Sequence, residues 1–360
     1  MKKSIISIIS LLLCSQLNAQ ILTGNVYDEV TKKPISEVLV YLDGTSIYTL
    51  TDTTGKFELK VNQIINAQLI LSHVAYKTIT VANPFQKMPD SFYMTEQITT
   101  MQEVQISADR FTRAQKLQAF REQFLGRNNA GKSCKILNEE DIHFSYDLDS
   151  QTLTASADKP LEIINDFLGY KIVCNLVDFK IQFADWHRLE NEYVNQTYYA
   201  VNTSFMDLKP NDRKIKRRRD EVYLHSPNYF FKNFSNNTLK QSRHTISNGG
   251  FQINPANYFT ITDTLSMTLI QIKPNAHLST NTINRTNTGT GFNTPLFGII
   301  DVLNENGNKK ERSTIYLYTS EFLVDQYGNV DKFDKLFFAG YMGNFRVGDM
   351  LPLEYMEYKP

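Results

Sequence analysis

The sequence predicts a mainly β protein in which a small N-terminal β-sandwich precedes a larger α+β domain of hairpins with a few helices. Three observations predict this fold class. Between residues 21 and 81, short β-branched and aromatic runs alternate with turn residues, at about the spacing found in β-sandwiches. The chain has 360 residues, which is too long for one such sandwich. Beyond residue 110, strand alternation is mixed with helical spacing.

The first domain is predicted from strands that end at turn residues. Residues 38–42 are an apolar run that ends at Asp43 and Gly44. A second turn covers residues 51–55, where Gly55 is free to adopt a positive φ. After it, apolar and charged residues alternate over residues 56–61, which predicts a strand with one buried face.

The turn and strand residues of this stretch also carry a family resemblance. They are Gly24, Pro34, Val38, Val40, Asp43, Gly44, Thr45, Thr51, Asp52, Gly55, Lys56, Phe57 and residues 71–76. In this order they resemble the carboxypeptidase-regulatory-like domain. The resemblance implies a transthyretin-like Greek-key β-sandwich and a place among envelope proteins of Bacteroidetes type. It implies no peptidase activity, because in carboxypeptidases this domain accompanies the catalytic domain.

Residues 1–20 have the order of a secretory signal peptide. Lys2 and Lys3 form a charged start, residues 5–13 are mostly apolar, and Ala19 is a small residue at a plausible cleavage point. The apolar run is too short to span a bilayer. We therefore expect an extracytoplasmic protein, in the periplasm or associated with the outer membrane, without a transmembrane helix in the mature chain. Lipidation at Cys14 is an alternative, although a lipidation motif needs a small residue in place of Leu13.

The predicted organisation has four parts. They are a signal peptide over residues 1–20, the regulatory-like β-sandwich over 21–97, a strand and linker over 98–110, and a β-rich α+β domain over 111–360. The chain has 38 basic and 38 acidic residues. This balance gives no general attraction to nucleic acid.

In the last domain, Leu117, Phe120 and Phe124 have helical spacing and predict a helix over residues 114–125. Cys134 and Cys174 are either a disulfide or two separate buried thiols. The other predicted elements are a hairpin over residues 142–157, a short helix over 160–168, a helix that begins after Ser226, an exposed loop over 280–294, and strands over 296–302, 314–319 and 333–339.

Residues 126–133 match the pattern of a phosphate-binding loop letter for letter. Such a loop works because a strand leads into it and a helix leaves it, so that backbone N–H groups meet the phosphates. Here the predicted order is helix, then loop, then strand. We therefore predict a polar connection and no nucleotide or other cofactor.

His187 and Glu190 have the His-x-x-Glu spacing of the zinc ligands of metallocarboxypeptidases, which they resemble. His225, His244 and His277 could supply a third ligand only by position. The alternative is a chance pair on the surface. We assign no catalytic residue, and His187 and Glu190 are kept as the metal candidates.

A basic run supplies a possible patch for anionic ligands, formed by Arg213, Arg217, Arg218 and Arg219. Its alternative interpretation is a solvated helix face beside core aromatic residues. The leading hypothesis for function is an exported, non-enzymatic cell-envelope protein, a module for recognition or assembly. Its expected partner is an envelope protein or a polysaccharide, with peripheral membrane association also possible. The alternative is a periplasmic or surface hydrolase with its site in residues 111–360.

Overall fold

The computed structural model describes residues 20–62, 65–97, 110–264, 267–280, 295–306 and 310–356. Almost all of the predicted signal peptide, linker and polar loop over 280–294 lie outside these ranges. The fold is mainly β, with an N-terminal β-sandwich and a later β-rich part with few helices, which confirms the predicted fold class. Contacts between residues divide the chain into two units, Met1–Thr100 and Met101–Pro360.

The first unit has two sheets that share one core. Its strands are β1 (Gln20–Asp28), β2 (Leu39–Leu42), β3 (Tyr48–Leu50), β4 (Lys56–Val61), β5 (Leu69–His73), β6 (Tyr76–Val81) and β7 (Ser91–Met94). The sheet orders are β4-β1-β7 and β3-β2-β5-β6. In β4, Phe57 and Leu59 are buried while Glu58 is exposed, as the alternation predicts. Burial of such side chains stabilises the sandwich by about 1.5–3 kcal/mol each.

The second unit begins with a six-stranded antiparallel sheet. Its strands are β8 (Cys134–Ile136), β9 (Ile142–Asp147), β10 (Thr152–Ala157), β11 (Leu161–Asn165), β12 (Tyr170–Phe183) and β13 (Val194–Asp207). One edge of β12 pairs with β11 and β10, and its other edge pairs with β13. The predicted hairpin over residues 142–157 is confirmed as β9 and β10.

Two helices precede this sheet in the chain, α1 (Arg113–Phe124) and the short α2 (Asn129–Lys132). Thr112 and Gln115 form a capping box that fixes the start of α1. Phe120 and Phe124 of α1 pack on Phe179 of β12, with ring centroids 4.7 and 5.9 Å away. This confirms the predicted helix and its apolar face.

The rest of the second unit builds a separate core. Its helices are α3 (Arg213–Leu224), α4 (Pro227–Ser235) and α5 (Pro255–Tyr258), and its strands are β14 (His244–Asn248), β15 (Phe251–Gln252), β16 (Phe259–Asp263), β17 (Thr268–Ile272), β18 (Gly298–Asn304), β19 (Glu311–Leu317), β20 (Glu321–Val324) and β21 (Leu336–Gly340). The sheet orders are β15-β14-β18-β19-β21 and β16-β17-β20. Phe231 and Phe234 of α4 fill the core. Ser226 caps α4, as predicted.

One predicted helix is wrong. Residues 160–168 do not form a helix, because residues 161–165 are strand β11. Leu161, Ile163 and Asn165 are buried in alternation, and β11 pairs with both β8 and β12. Pairing on both sides therefore outweighed the local helical pattern. The strand predicted over 333–339 begins later, because Phe333–Lys335 is a 3-10 turn before β21.

Cys134 and Cys174 are free thiols. The strand pairing explains why no disulfide joins them. Cys134 lies opposite Asn165 of β11, and Cys174 lies opposite Leu161, four residues earlier on the same strand. Four residues of strand separate the two cysteines by about 13 Å along the sheet, well beyond the Cα separation of a disulfide. Within the described ranges, no helix combines the length and the apolar character needed to cross a bilayer.

Candidate functional site

An open cleft of about 960 Å³ in the second unit is the candidate site. Three separate segments line it: α1, the connection from α1 to β8, and the loop after β12. The lining side chains that carry polar or charged groups are Gln115, Gln118, Arg121, Glu122, Arg127, Lys132, Cys134, His187, Glu190, Asn191 and Glu192. The cleft therefore joins the stretch that matches a phosphate loop with the stretch that carries the predicted metal pair.

Glycines shape the connection from α1 to β8. Gly126 has a φ of +103°, which lets the chain turn sharply after α1. Gly131 packs so closely on Gly126 that an added Cβ would meet the Gly126 carbonyl. Gly348 likewise packs against Leu125 and Gly131. Close packing of three backbone segments thus explains the glycines of the apparent phosphate loop.

Polar groups of the protein itself hold this connection. The Asn128 carboxamide accepts from the Gly131 N–H at 2.9 Å and donates to Asp349 Oδ1 at 2.7 Å. Asn165 donates to the Gly348 carbonyl at 2.9 Å. Burial raises the pKa of Asp349, and the Asn128 hydrogen bond opposes that rise. The Asn128 side chain therefore takes up the Gly131 N–H, one of the backbone donors that a phosphate-binding loop would offer to its ligand.

Arg127 and Lys132 are different, because both are exposed at the cleft. Among the described residues, neither forms a salt bridge. Arg121 instead forms an ion pair with Glu139. On the opposite loop Glu192 is exposed, and it too makes no ion pair within the described ranges. Arg127, Lys132 and Glu192 are thus exposed charged groups of the cleft that make no ion pair within the described ranges.

The structure brings His187 and Glu190 to the same cleft. Each has a neighbour of its own, since His187 Nδ1 lies 3.1 Å from Asp185 Oδ1 and Glu190 lies 3.5 Å from Arg188. The backbone N–H of His187 donates a hydrogen bond to Asp185 Oδ1 at 2.8 Å, and this bond lowers the pKa of Asp185. In the described part of the chain, no group of three or more His, Cys, Asp or Glu side chains has the geometry to hold a metal ion.

The other histidines named as possible ligands lie elsewhere. His225 pairs with Glu311 at 2.5 Å, and His244 contacts Ser242 Oγ at 2.9 Å. Burial lowers the pKa of His244 to about 4, so its ring is neutral at pH 7. His277 contributes its carbonyl to Asn248. The structure therefore does not gather these side chains around His187.

The arginines of the basic run lie on α3 but face different surroundings. Arg213 and Arg217 are exposed and four residues apart, so they share a helix face. Arg218 lies 4.5 Å from the Phe167 ring centroid. Arg219 is only 3% exposed and forms two 2.8 Å hydrogen bonds with Asp207. It has no free charge for a ligand, so an anion patch would depend on the other three arginines.

Cys134 also borders the cleft but is a poor nucleophile. Burial, helped by Asp349 and Asp166, raises the pKa of its thiol to about 12. Its Sγ donates to the Ala130 carbonyl at 3.3 Å. The thiol therefore stays protonated at neutral pH.

Several lining residues carry no recognisable signal in the sequence. Gln118, Asn191 and Glu192 belong to no motif, and only the fold brings their segments together. A surface polar residue on a helix or loop looks the same in sequence whether or not it faces a cleft.

In the first unit, the residues that carry the family resemblance have structural roles. Asp52 Oδ1 accepts from the Thr54 N–H at 2.8 Å and the Lys56 N–H at 3.0 Å, closing the turn before β4. Thr51 Oγ1 is buried; it donates to the Ile35 carbonyl at 2.8 Å and accepts from the Val38 N–H at 2.9 Å. These contacts shape turns and offer no reactive group.

Comparison with known proteins agrees with this assignment of the first unit. Residues 22–106 match the family model of the CarboxypepD_reg-like domain. Neither the curated proteins nor the solved structures that were searched contain a match to this chain. The family match thus identifies one domain and leaves the cleft-bearing unit without a relative to interpret it.

Proposed function

We propose that this is an exported, non-enzymatic cell-envelope protein that recognises an envelope partner through the cleft of its second unit. The observation that carries the proposal is a set of exposed charges on that cleft, Arg127, Lys132 and Glu192, which make no ion pair with any residue that the structure describes. Charged groups held on a rigid scaffold and open to solvent suit the recognition of a polar ligand. The CarboxypepD_reg-like domain supports the role of an accessory module rather than a catalyst.

The expected export rests on residues 1–20. A fusion of this segment to alkaline phosphatase, which is active only after export, tests it directly. We expect activity from the native segment and loss of activity when Lys2 and Lys3 are both changed to Glu, because the positive start is needed for insertion. Equal activity of both fusions would refute export through this segment.

The proposed ligand is an envelope polysaccharide with anionic groups. Trp186 is the single tryptophan of the chain and neighbours His187 at the cleft, so its fluorescence reports on binding there. Titration with lipopolysaccharide is expected to change this fluorescence. The double variant Arg127→Gln and Lys132→Gln should weaken binding by at least about tenfold, since it removes two charge-assisted contacts.

The matched control is Lys135→Gln, which removes an exposed lysine on β8 that does not line the cleft. It should bind as the native protein does. Equal binding by the native chain and the double variant would contradict recognition at the cleft. In that case retention on heparin by Arg213→Gln with Arg217→Gln would show whether α3 supplies the anion patch instead.

A second candidate function is a hydrolase, favoured by one specific observation. His187 and Glu190 line the same cleft, and Asp185 contacts the His187 ring. Such a histidine can act as a general base. Hydrolysis of peptide, ester or glycoside substrates that is lost in both His187→Ala and Glu190→Gln, but kept in Arg188→Gln, would support this function over binding alone.

A further inference from the structure

The first half of α3 and the turn before it carry a dense positive charge. Residues 209–218 contain six basic side chains and one acidic side chain. Four of the basic residues are exposed, namely Lys209, Arg213, Lys214 and Arg217. Among the residues that the structure describes, none of these four forms a salt bridge. Their positive charge is therefore exposed and is balanced by no ion pair within the described ranges.

Three of these cations share one surface of α3. Arg213 and Arg217 are four residues apart, and Lys214 is three residues before Arg217, so their side chains are neighbours on the helix. The opposite side of the helix is buried, at Ile215, Arg219 and Tyr223. α3 is therefore a surface helix whose outer side is basic over its first half.

Contacts of the inner side hold α3 in this orientation. Arg219 forms two 2.8 Å hydrogen bonds with Asp207. Arg218 lies 4.5 Å from the Phe167 ring centroid and donates to the Phe167 carbonyl at 3.3 Å. Because the helix is fixed, a ligand of the outer side meets cations whose backbone is already ordered, which lowers the entropic cost of binding.

The charge order of α3 is opposite to the order that stabilises a helix. Its first turn contains basic residues and no acidic residue, and its last turn contains no basic residue. Positive charge near the N-terminus opposes the helix dipole. Asp212 already caps the N–H groups of Lys214 and Ile215, so the positive surface is formed by side chains and not by the helix terminus. A charge order that opposes helix stability points to a role outside folding.

An exposed leucine lies in the turn that leads into α3. Leu208 is 46% exposed and directly precedes Lys209, and its backbone N–H donates to the Gly169 carbonyl at 3.0 Å. Basic side chains combined with an exposed apolar side chain are typical of surfaces that bind the interface of an anionic bilayer. A soluble polyanion would interact with the cations but would gain nothing from the leucine. The leucine therefore favours a bilayer as the ligand.

We propose that the basic surface formed by Lys209, Arg213, Lys214 and Arg217 docks on an anionic phospholipid bilayer, with Leu208 at the interface. The negative surface potential of such a bilayer attracts each nearby cation, which raises binding by about fivefold per residue. The attraction is electrostatic, so it weakens as the ionic strength rises. None of these residues lines the cleft, and the docking is therefore independent of ligand binding there.

Co-sedimentation with phospholipid vesicles tests the proposal. We expect the purified chain to bind vesicles that contain phosphatidylglycerol, to dissociate as salt is added, and to bind pure phosphatidylcholine vesicles much more weakly. The triple variant Arg213→Gln, Lys214→Gln and Arg217→Gln should lower the partition coefficient by about a hundredfold, because three cations are lost. Its thermal unfolding should not move to lower temperature, because the charges that are removed oppose the helix dipole.

The matched control is the triple variant Lys33→Gln, Lys77→Gln and Lys87→Gln. It removes the same amount of positive charge from exposed positions in the first unit. It should bind phosphatidylglycerol vesicles as the native chain does. An equal loss of binding in the two triple variants would overturn the proposal, because total charge and not α3 would then decide binding. A native chain that does not bind anionic vesicles at low salt would overturn it as well.

Leu208→Ser separates a bilayer from a soluble polyanion. It should weaken vesicle binding by about threefold to tenfold and leave retention on heparin unchanged, since heparin has no apolar layer. Unchanged vesicle binding by Leu208→Ser would overturn docking at the bilayer interface and leave α3 to a polysaccharide. The cleft variant Arg127→Gln with Lys132→Gln should bind phosphatidylglycerol vesicles as the native chain does, so that failure of bilayer docking and failure of recognition at the cleft are distinguishable.

Discussion

The turns of the first unit and the cleft of the second use polar residues in opposite ways. In the first unit, the Asp52 side chain bonds the backbone of its own turn, and the Thr51 side chain bonds backbone groups of Ile35 and Val38. At the cleft, Arg127 and Lys132 are exposed and make no ion pair within the described residues. A recognisable sequence motif can therefore identify a fold, as it does in the first unit. The cleft residues that are available for binding belong to no such functional motif.

The second unit also contains a charged residue, Arg219, whose side chain bonds groups of the protein itself. Arg219 donates to the Leu168 and Gly169 carbonyls and to Asp207, and it lies 3.9 Å from the Tyr170 ring centroid. Burial raises the pKa of Asp207, but the hydrogen bonds from Arg219 and the Lys209 N–H, together with the nearby positive charges, hold this pKa below its usual value. Arg217, two positions earlier on α3, is exposed.

The largest effect on stability is expected for Arg219. Arg219→Ala should lower the free energy of unfolding by about 3–5 kcal/mol, because it removes a buried side chain that packs on Tyr170 and leaves the Leu168 carbonyl without its donor. Arg217→Ala should stay within about 0.5 kcal/mol of the native value. Urea unfolding followed by Trp186 fluorescence measures both. Similar losses of unfolding free energy in the two variants would contradict the expectation that the buried arginine contributes more to stability than the exposed one.

The next largest effect is expected at a turn of the first unit. Gly55 has a φ of +77°, and a Cβ there would lie 2.5 Å from the Val26 carbonyl oxygen. Gly55→Ala should cost about 2–5 kcal/mol, from strain and overpacking together. Calorimetry measures the loss. The control is Gly250→Ala, where φ is +84° but no atom lies within 4 Å, so that only about 1–2 kcal/mol is expected.

Acid should affect the two regions in opposite directions. Hydrogen bonds from Thr31 lower the pKa of Asp28, so its stabilisation is present above pH 4 and is lost as the pH falls through the lowered folded value. Burial raises the pKa of Asp349, so its charged form destabilises the fold and acid relieves this first. Hydrogen exchange from pH 7 to 3, corrected for intrinsic rates, should show residues 341–351 gaining protection before residues 20–35 lose it. Simultaneous loss in both would contradict this assignment.

The smallest effect on stability is expected at the cleft. Arg127→Gln and Lys132→Gln should each change the free energy of unfolding by less than about 0.5 kcal/mol, because exposed charges contribute little. The same unfolding measurement reports it. A loss above 1 kcal/mol, on the order of a buried hydrogen bond, would mean that these residues support the fold rather than remain available for a ligand.

Much of the fold was predictable, and each failure has a physical cause. The spacing of Leu117, Phe120 and Phe124 predicts helix α1, because apolar residues three and four positions apart lie on one face of a helix. Strand β11 was missed, because pairing with two neighbours is not visible in nine residues of local pattern. Of the site, His187 and Glu190 were found as a motif, whereas Glu192 had no motif to find.

By itself, the sequence determined the turns and alternation of the first unit, because these depend on residues close together in the chain. Gly55 and Asp52 define their turn in any context that lets the strands pair. Only the tertiary structure decided that residues 114–134 and 187–192 share one cleft, and that Arg219 is buried while Arg217 is exposed. Those outcomes depend on long-range contacts, whose partners are set by packing of the whole unit rather than by local preference.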